Sequence, residues 1–178
     1  VNLTQNGRRD KIRYQSRFVT DPEEKGYDVK KPAYIRMYGE NTKKMGIVRV
    51  EPGKNGLQAG VKELLWDDIL IRSFSKAKNA NVFVYTKEKF NQPTEFFVTN
   101  ENFSGTKQVT QNTPDLGKYT WSSGVQLVNY VSDKGDSLQG ALFLPAGYEK
   151  GKKYPTIVYY YEKMSQSLHL YSTPDYPG

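Results

Sequence analysis

The sequence predicts a mostly β protein, and three observations carry that prediction. The chain holds 14 Tyr, 8 Phe and 2 Trp in 178 residues, and most of them fall in short runs beside β-branched neighbours. Clusters of Gly, Pro, Asn and Asp separate those runs at short intervals. Few stretches keep a helical apolar period over the length that a long helix needs.

The elements follow in order. Lys11 to Val19 has the aromatic and β-branched bias of a half-buried strand, and Asp21-Pro22-Glu23-Glu24-Lys25-Gly26 breaks it. Pro32 to Tyr38 is the next strand, closed by Gly39-Glu40-Asn41-Thr42. Met45 to Val50 is the third, ended by Glu51-Pro52-Gly53. From Gly56 to Leu65 the apolar spacing is ambiguous. Beyond it, Leu64-Leu65-Trp66 and Ile69-Leu70-Ile71 are expected to close a strand pair around Asp67-Asp68. Asn81 to Thr86 and Thr94 to Thr99 come next, flanked by Asn91-Gln92-Pro93 and Asn100-Glu101-Asn102. Short strands joined by tight polar turns fit a sandwich or a propeller. An internal echo favours the propeller, since Asn2-Leu3-Thr4-Gln5-Asn6-Gly7 resembles Gln108-Val109-Thr110-Gln111-Asn112-Thr113-Pro114. The interval between them would hold two four-stranded blades of about fifty residues.

The pattern changes after Trp121. Ser122-Ser123-Gly124 marks a boundary, so the expected domains are residues 1–121 and 122–178. Val125 to Ser132 and Leu138 to Leu144 read as strands joined in hairpin fashion by Asp133-Lys134-Gly135-Asp136. A loop from Pro145 to Pro155 leads into Thr156-Ile157-Val158-Tyr159-Tyr160-Tyr161. That run is continuously apolar or aromatic, as expected of a strand buried on both faces of an α/β layer fold.

Composition excludes several chemistries. With no cysteine there is no disulfide framework, thiolate metal site or cysteine nucleophile. A single histidine, His169, leaves almost no material for a Ser-His-Asp triad or a multi-histidine metal site unless the chain is part of something longer. The net charge of +7 raises a nucleic-acid hypothesis. The basic pairs Arg8-Arg9, Lys30-Lys31, Lys43-Lys44 and Lys152-Lys153 are nevertheless scattered among acids and turn residues, which argues for solvated loops over a phosphate-binding face. No run of roughly 18 apolar residues exists to span a bilayer. The chain opens Val1-Asn2-Leu3-Thr4, without a signal-peptide pattern, which fits a mature or truncated chain.

Leu142-Phe143-Leu144-Pro145-Ala146-Gly147-Tyr148, followed by Lys152-Lys153-Tyr154-Pro155-Thr156-Ile157-Val158-Tyr159, resembles the start of the hydrolase domain in prolyl oligopeptidase-type (S9) serine peptidases. This group includes dipeptidyl peptidases and acylaminoacyl peptidases. The stretches Asn81 to Thr99, Lys107 to Thr110, Tyr119-Thr120-Trp121-Ser122 and Asp133 to Asp136 are similar to the last propeller blade and the crossover. The resemblance covers residues 80 to 164 well and residues 1 to 79 loosely. It implies the last blades of a β-propeller followed by the first strands of an α/β-hydrolase domain. It also implies short peptides as substrates, acyl-enzyme chemistry with propeller gating, and no cofactor or metal. An oligomer stays open, and an exported or periplasmic location is favoured over the cytoplasm.

The family's nucleophile sits in a G-x-S-x-G elbow, which this sequence lacks. Ser104 and Ser123 each precede a glycine, but the surrounding glycines do not fit, so the triad is expected beyond Gly178 and the 178 residues alone are expected to be inactive. The strand-end tyrosine of the family matches Tyr161, whose hydroxyl would help bind the tetrahedral oxyanion. Glu162-Lys163 departs from the small residues common after this tyrosine and is expected to reshape the loop.

Other candidates have plainer readings. His169, near Ser165, Ser167 and Ser172 with Glu162 as the close carboxylate, reads as a packing or surface histidine. Trp66-Asp67 resembles a propeller-repeat dipeptide but occurs once. Asp21, Glu23 and Glu24 lack calcium-loop spacing and read as a solvated turn, and Glu23-Glu24 lacks the context of a pair that binds a substrate amino terminus. Asn2-Leu3-Thr4 and Asn102-Phe103-Ser104 satisfy the glycosylation pattern, which is common by chance. A second class of function also stays open, a self-contained β-rich module that binds a peptide or a glycan through exposed aromatics.

Overall fold

The computed structural model describes residues 4, 6–53, 60–112 and 116–173. The protein is mostly β, built from antiparallel sheets. The chain groups into two units. Val1–Lys87 with Glu95–Thr110 forms the first, and Glu88–Thr94 with Gln111–Gly178 forms the second.

The first unit begins with a single helical turn, α1 (Gly7–Asp10), stopped by Lys11 in the left-handed region at φ 54°. Four strands follow, β1 (Ile12–Arg17), β2 (Ala33–Gly39), β3 (Met45–Glu51) and β4 (Gly60–Asp67). They pair in the order β1-β2-β3-β4, and each pair is antiparallel. The link between β2 and β3 is short and internally hydrogen-bonded. Between β2 and β3 the Lys43 N–H donates to Gly39 O (2.8 Å) and the Gly39 N–H to Lys44 O (2.9 Å), with Lys43 at φ 62°. Where β3 meets β4 a side chain at Gly46 has no room, because a Cβ there would lie 2.1 Å from Leu65 O and 2.8 Å from the Trp66 ring.

The second sheet comprises β5 (Phe74–Lys76), β6 (Val82–Lys89), β7 (Gln92–Asn100) and β8 (Lys107–Gln108), again in sequential order. The strings that echo each other at 2–7 and 108–114 stand on either side of two four-stranded sheets, with residues 2, 3, 5, 113 and 114 outside the described residues. Thr86 ties the start of this sheet together, its buried Oγ1 accepting the N–H of Arg72 (3.1 Å) and of Ser73 (3.0 Å). The loop after β7 is nucleated by Asn100. Its Oδ1 accepts the N–H of Asn102 (3.0 Å) and of Ser104 (3.2 Å), a local competition with the strand that ends it. The loop holds Phe103 at φ 58°. That conformation is unfavourable for an aromatic residue, and it is offset by packing of the ring on Phe74 and Tyr85.

The core of this unit is aromatic. Tyr34 and Ile47 from the first sheet meet Phe74, Phe83 and Tyr85 from the second, with Phe18, Ile69 and Ile71 contributed by connecting segments. The Phe74 and Phe83 rings stack at 5.1 Å and Tyr34 lies 5.0 Å from Phe83. Each such pair adds roughly 0.5–1.5 kcal/mol beyond the burial of its area.

Two expectations for this unit need correction. Ile69-Leu70-Ile71 does not pair with Leu64-Leu65-Trp66. The latter belongs to β4, which pairs with β3, while residues 69 to 71 form the passage between the two sheets, with Ile69 and Ile71 inserted in the core. The same apolar alternation serves burial between sheets as well as strand pairing, so it does not distinguish them. Asn91-Gln92-Pro93 does not flank a strand either. Gln92 and Pro93 open β7, the turn being Phe90-Asn91. Proline is tolerated there because the start of a strand can forgo an N–H.

The second unit is dominated by one long hairpin, β9 (Ser122–Val131) and β10 (Ser137–Ala146), whose register runs unbroken from Ser137↔Val131 to Ala146↔Ser122. The expected turn closes it. Ser132 N–H donates to Asp136 O (2.9 Å), Ser132 Oγ accepts the Asp136 N–H (3.1 Å), and Gly135 supplies φ 85°. Ser122-Ser123-Gly124, read as a boundary, is the start of β9, where Ser122 Oγ donates to Leu144 O (2.5 Å).

The largest departure is at Thr156 to Tyr161. The run expected to be a strand buried on both faces forms no strand, and its side chains are open to solvent, from 96% exposure at Ile157 to 81% at Tyr161. A fully apolar strand is stable only between two neighbouring strands and beneath layers on both faces. Among the described residues, no strand pairs with it. Beyond it, a 3-10 turn (Met164–Ser167) packs against β10, with Ser165 and Leu168 buried.

Candidate functional site

Tyr161 stands at the end of the exposed run, where the chain bends. Glu162 and Lys163 follow, both exposed, and Glu162 O accepts the Met164 N–H (2.8 Å) as the 3-10 turn begins. The arrangement presents a phenolic hydroxyl to solvent on a short bend, with a fixed turn directly after it. As chemistry, that is a hydrogen-bond donor open to a partner.

The serines and the histidine nearby do not assemble around Tyr161 as a nucleophile and base. Ser165 is buried, and Ser167 Oγ donates to Met164 O (2.7 Å), capping its own turn. His169 is half-buried in the segment after that turn. The two serines that precede glycine are also engaged locally: Ser104 Oγ accepts from Asn100 Nδ2 (2.8 Å) and Ser123 Oγ accepts the Tyr148 N–H (3.1 Å).

The remaining candidates serve the fold. Trp66 lies over the glycines of β2 and β3, its ring 3.2 Å from where a Cβ at Gly39 would be, and Asp67 Oδ1 accepts the Asp68 N–H (2.8 Å). Asp21 Oδ1 accepts the Glu23 N–H (3.0 Å), Glu24 faces Arg17 (3.5 Å) and Glu23 pairs with Lys78 (2.8 Å). These carboxylates shape a turn and neutralise cations. Among the described residues no group of three or more His, Asp or Glu is placed to hold a metal. Asn102 is exposed, with Oδ1 accepting from Lys62 Nζ (3.1 Å), whereas Asn2 and Leu3 lie outside the described residues. Much of the basic charge is matched locally, as in Arg9–Asp10, Arg13–Glu40 and Lys152–Glu149. No helix among the described residues is long and apolar enough to cross a membrane.

Buried titratable groups lie elsewhere. Burial pushes the phenols of Tyr34, Tyr38 and Tyr85 up and lowers the Arg36 guanidinium, which donates to Arg72 O (3.0 Å) and covers the Phe18 ring. Sequence reasoning missed two buried carboxylates. Glu95 accepts a hydrogen bond from the Thr110 hydroxyl, which itself accepts the Phe96 N–H (2.8 Å). Glu88 accepts from Thr94 Oγ1 (2.5 Å) and from the Tyr171 N–H (3.1 Å). The signal for Glu88 is its parity in Thr86-Lys87-Glu88-Lys89. Thr86 and Glu88 point inward while both lysines are only partly buried.

No protein-family model matches the sequence, and no curated protein matches it. The sheets define a mostly β class, and the chain is similar in fold to a solved structure of an alanine-for-serine variant of the isopeptidase AtxE2 with astexin3-dC4 bound. The TM-score is 0.53 at 18% identity, over 73% of this chain and 19% of that chain. The likeness is one of fold, and this chain spans 19% of the length of that protein.

Proposed function

We propose that these 178 residues are part of a prolyl oligopeptidase-type serine peptidase. On this reading residues 1–121 belong to the last blades of a β-propeller and residues 122–178 open an α/β-hydrolase domain. The intact enzyme cleaves short peptides through an acyl-enzyme, with Ser, Asp and His supplied beyond Gly178 and the propeller restricting access. The observation that carries the reading is the uncharged run Thr156 to Tyr161, exposed at the end of a well-registered hairpin. A run of that composition calls for a surrounding sheet, as the first inner strand of a hydrolase domain would have. Two consecutive four-stranded sheets before it support the propeller part. The isopeptidase named above also cleaves an amide bond, which agrees with hydrolase chemistry.

In this mechanism the serine attacks the scissile carbonyl and negative charge develops on its oxygen. Tyr161 donates its hydroxyl hydrogen bond to that oxygen. A preorganised donor of this kind lowers the barrier by about 3 kcal/mol, or roughly a hundredfold in rate. In the full-length parent, Tyr161→Phe is expected to lower kcat by that order with little change in KM. Unchanged turnover would remove the oxyanion role. The 178 residues alone are expected to be inactive on peptide and ester substrates, and turnover blocked by a serine-directed phosphonate would show that the nucleophile lies inside them.

A second reading, a self-contained module that binds a peptide or a glycan, is favoured by the exposed aromatics Tyr119 and Tyr130 beside the long hairpin. Saturable binding of a peptide or glycan that Tyr130→Ala abolishes, together with a stop codon directly after Gly178, would establish it instead.

A further inference from the structure

Glu88 is 2% exposed at the end of β6, and a buried carboxylate is costly unless its oxygens are satisfied. Here both are. Oε2 accepts the Thr94 hydroxyl (2.5 Å) from the other arm of the same turn, and Oε1 accepts the backbone N–H of Tyr171 (3.1 Å), 83 residues away in sequence. Asn112 Nδ2 donates to Thr94 O (2.8 Å), adding a second tie to the hairpin tip. Two hydrogen bonds to one buried side chain, shielded from competing water, join the hairpin tip to the segment at Tyr171.

The segment that Glu88 holds is the one that follows Tyr161. Met164–Ser167 packs on β10, Ser165 and Leu168 are buried, and Tyr171 ends at the carboxylate. Residues 161 to 163 therefore lead from an exposed run into a stretch attached at both of its ends. We propose that Glu88 is a positioning residue: the tip of the β6–β7 hairpin clasps residues 164 to 171 and thereby sets where the bend bearing Tyr161 is held. The catalytic consequence rests on the oxyanion reading above, whereas the clasp rests on the geometry alone.

The test uses the full-length parent with Glu88→Ala, Glu88→Gln and Thr94→Val. Amide hydrogen exchange at Tyr171 is expected to rise about ten- to a hundredfold in Glu88→Ala, less in Thr94→Val and least in Glu88→Gln, whose amide oxygen still accepts. Exchange in β9 and β10, the strands of the same unit, is expected to stay unchanged, which separates release of the clasp from unfolding of that unit. kcat is expected to fall in Glu88→Ala with KM within about twofold, and Glu88→Gln to restore most of it. Unchanged exchange at Tyr171 in both Glu88→Ala and Thr94→Val would overturn the clasp. Faster exchange with unaltered kcat, in a parent where Tyr161→Phe does lower kcat, would overturn the positioning role. If Tyr161→Phe has no effect, the oxyanion reading falls with the catalytic consequence, while faster exchange at Tyr171 still upholds the clasp.

Discussion

Val82-Phe83-Val84-Tyr85 in β6 and Ile157-Val158-Tyr159-Tyr160 in the second unit are built from the same kinds of residue, and their surroundings are opposite. Phe83 and Tyr85 are each 1% exposed, inside a core drawn from two sheets, whereas Ile157 is 96% and Tyr160 85% exposed. Both segments have high β propensity. Only β6 has neighbours to pair with, β5 on one side and β7 on the other. Burial is thus set by the strands that flank a segment, and an apolar run without them is a surface that requires a cover.

The contrast can be broken most forcefully by truncating matched aromatics. Phe83→Ala is expected to destabilise the first unit by about 3–5 kcal/mol in chemical denaturation, because it opens a cavity among Tyr34, Phe74 and Tyr85. Tyr160→Ala is expected to stay within about 0.5 kcal/mol, since its ring contacts mostly water. Equal effects would show that the exposed run is buried in solution.

A smaller effect sharpens the comparison on polar grounds. Thr86→Val keeps shape but removes the buried acceptor for the N–H groups of Arg72 and Ser73, two donors on part-buried bonds. The expected loss is about 1–3 kcal/mol in the same measurement. Loss of less than half of the lower figure would mean that solvent reaches this site. The least effect on stability is expected from Val158→Lys combined with Tyr160→Lys. An exposed strand-forming segment is expected to pair between copies, so the 178 residues are expected to self-associate in sedimentation, less so with these charges, while the thermal midpoint stays within a few degrees. Unaltered self-association would place the adhesive surface elsewhere, for example on the apolar face of β9 and β10.

The candidate site is read from the sequence as a motif and not as an arrangement. The approach through Lys152-Lys153-Tyr154-Pro155 and the tyrosine at its end are visible in the order of residues, because a resemblance is carried by order. Glu88 is not visible in that way. Its partners, Thr94 and the Tyr171 N–H, are an adjacent-strand hydroxyl and a distant backbone group, and a backbone donor leaves no trace in a sequence.

Local chemistry by itself determined the strands and their turns. The β2, β3, β6 and β7 segments stand close to where alternation and β-branched residues put them, and the hairpin turn at Asp133 to Asp136 stands where Gly135 permits φ 85°. These are properties of a residue and its near neighbours. Only the tertiary structure decided which strands pair, that Ile69 and Ile71 enter a core instead of a hairpin, that Thr156 to Tyr161 remains unpaired, and that Glu88 grips Tyr171. The reason is physical. A strand makes its hydrogen bonds to another strand, so its propensity is local while its partner is not.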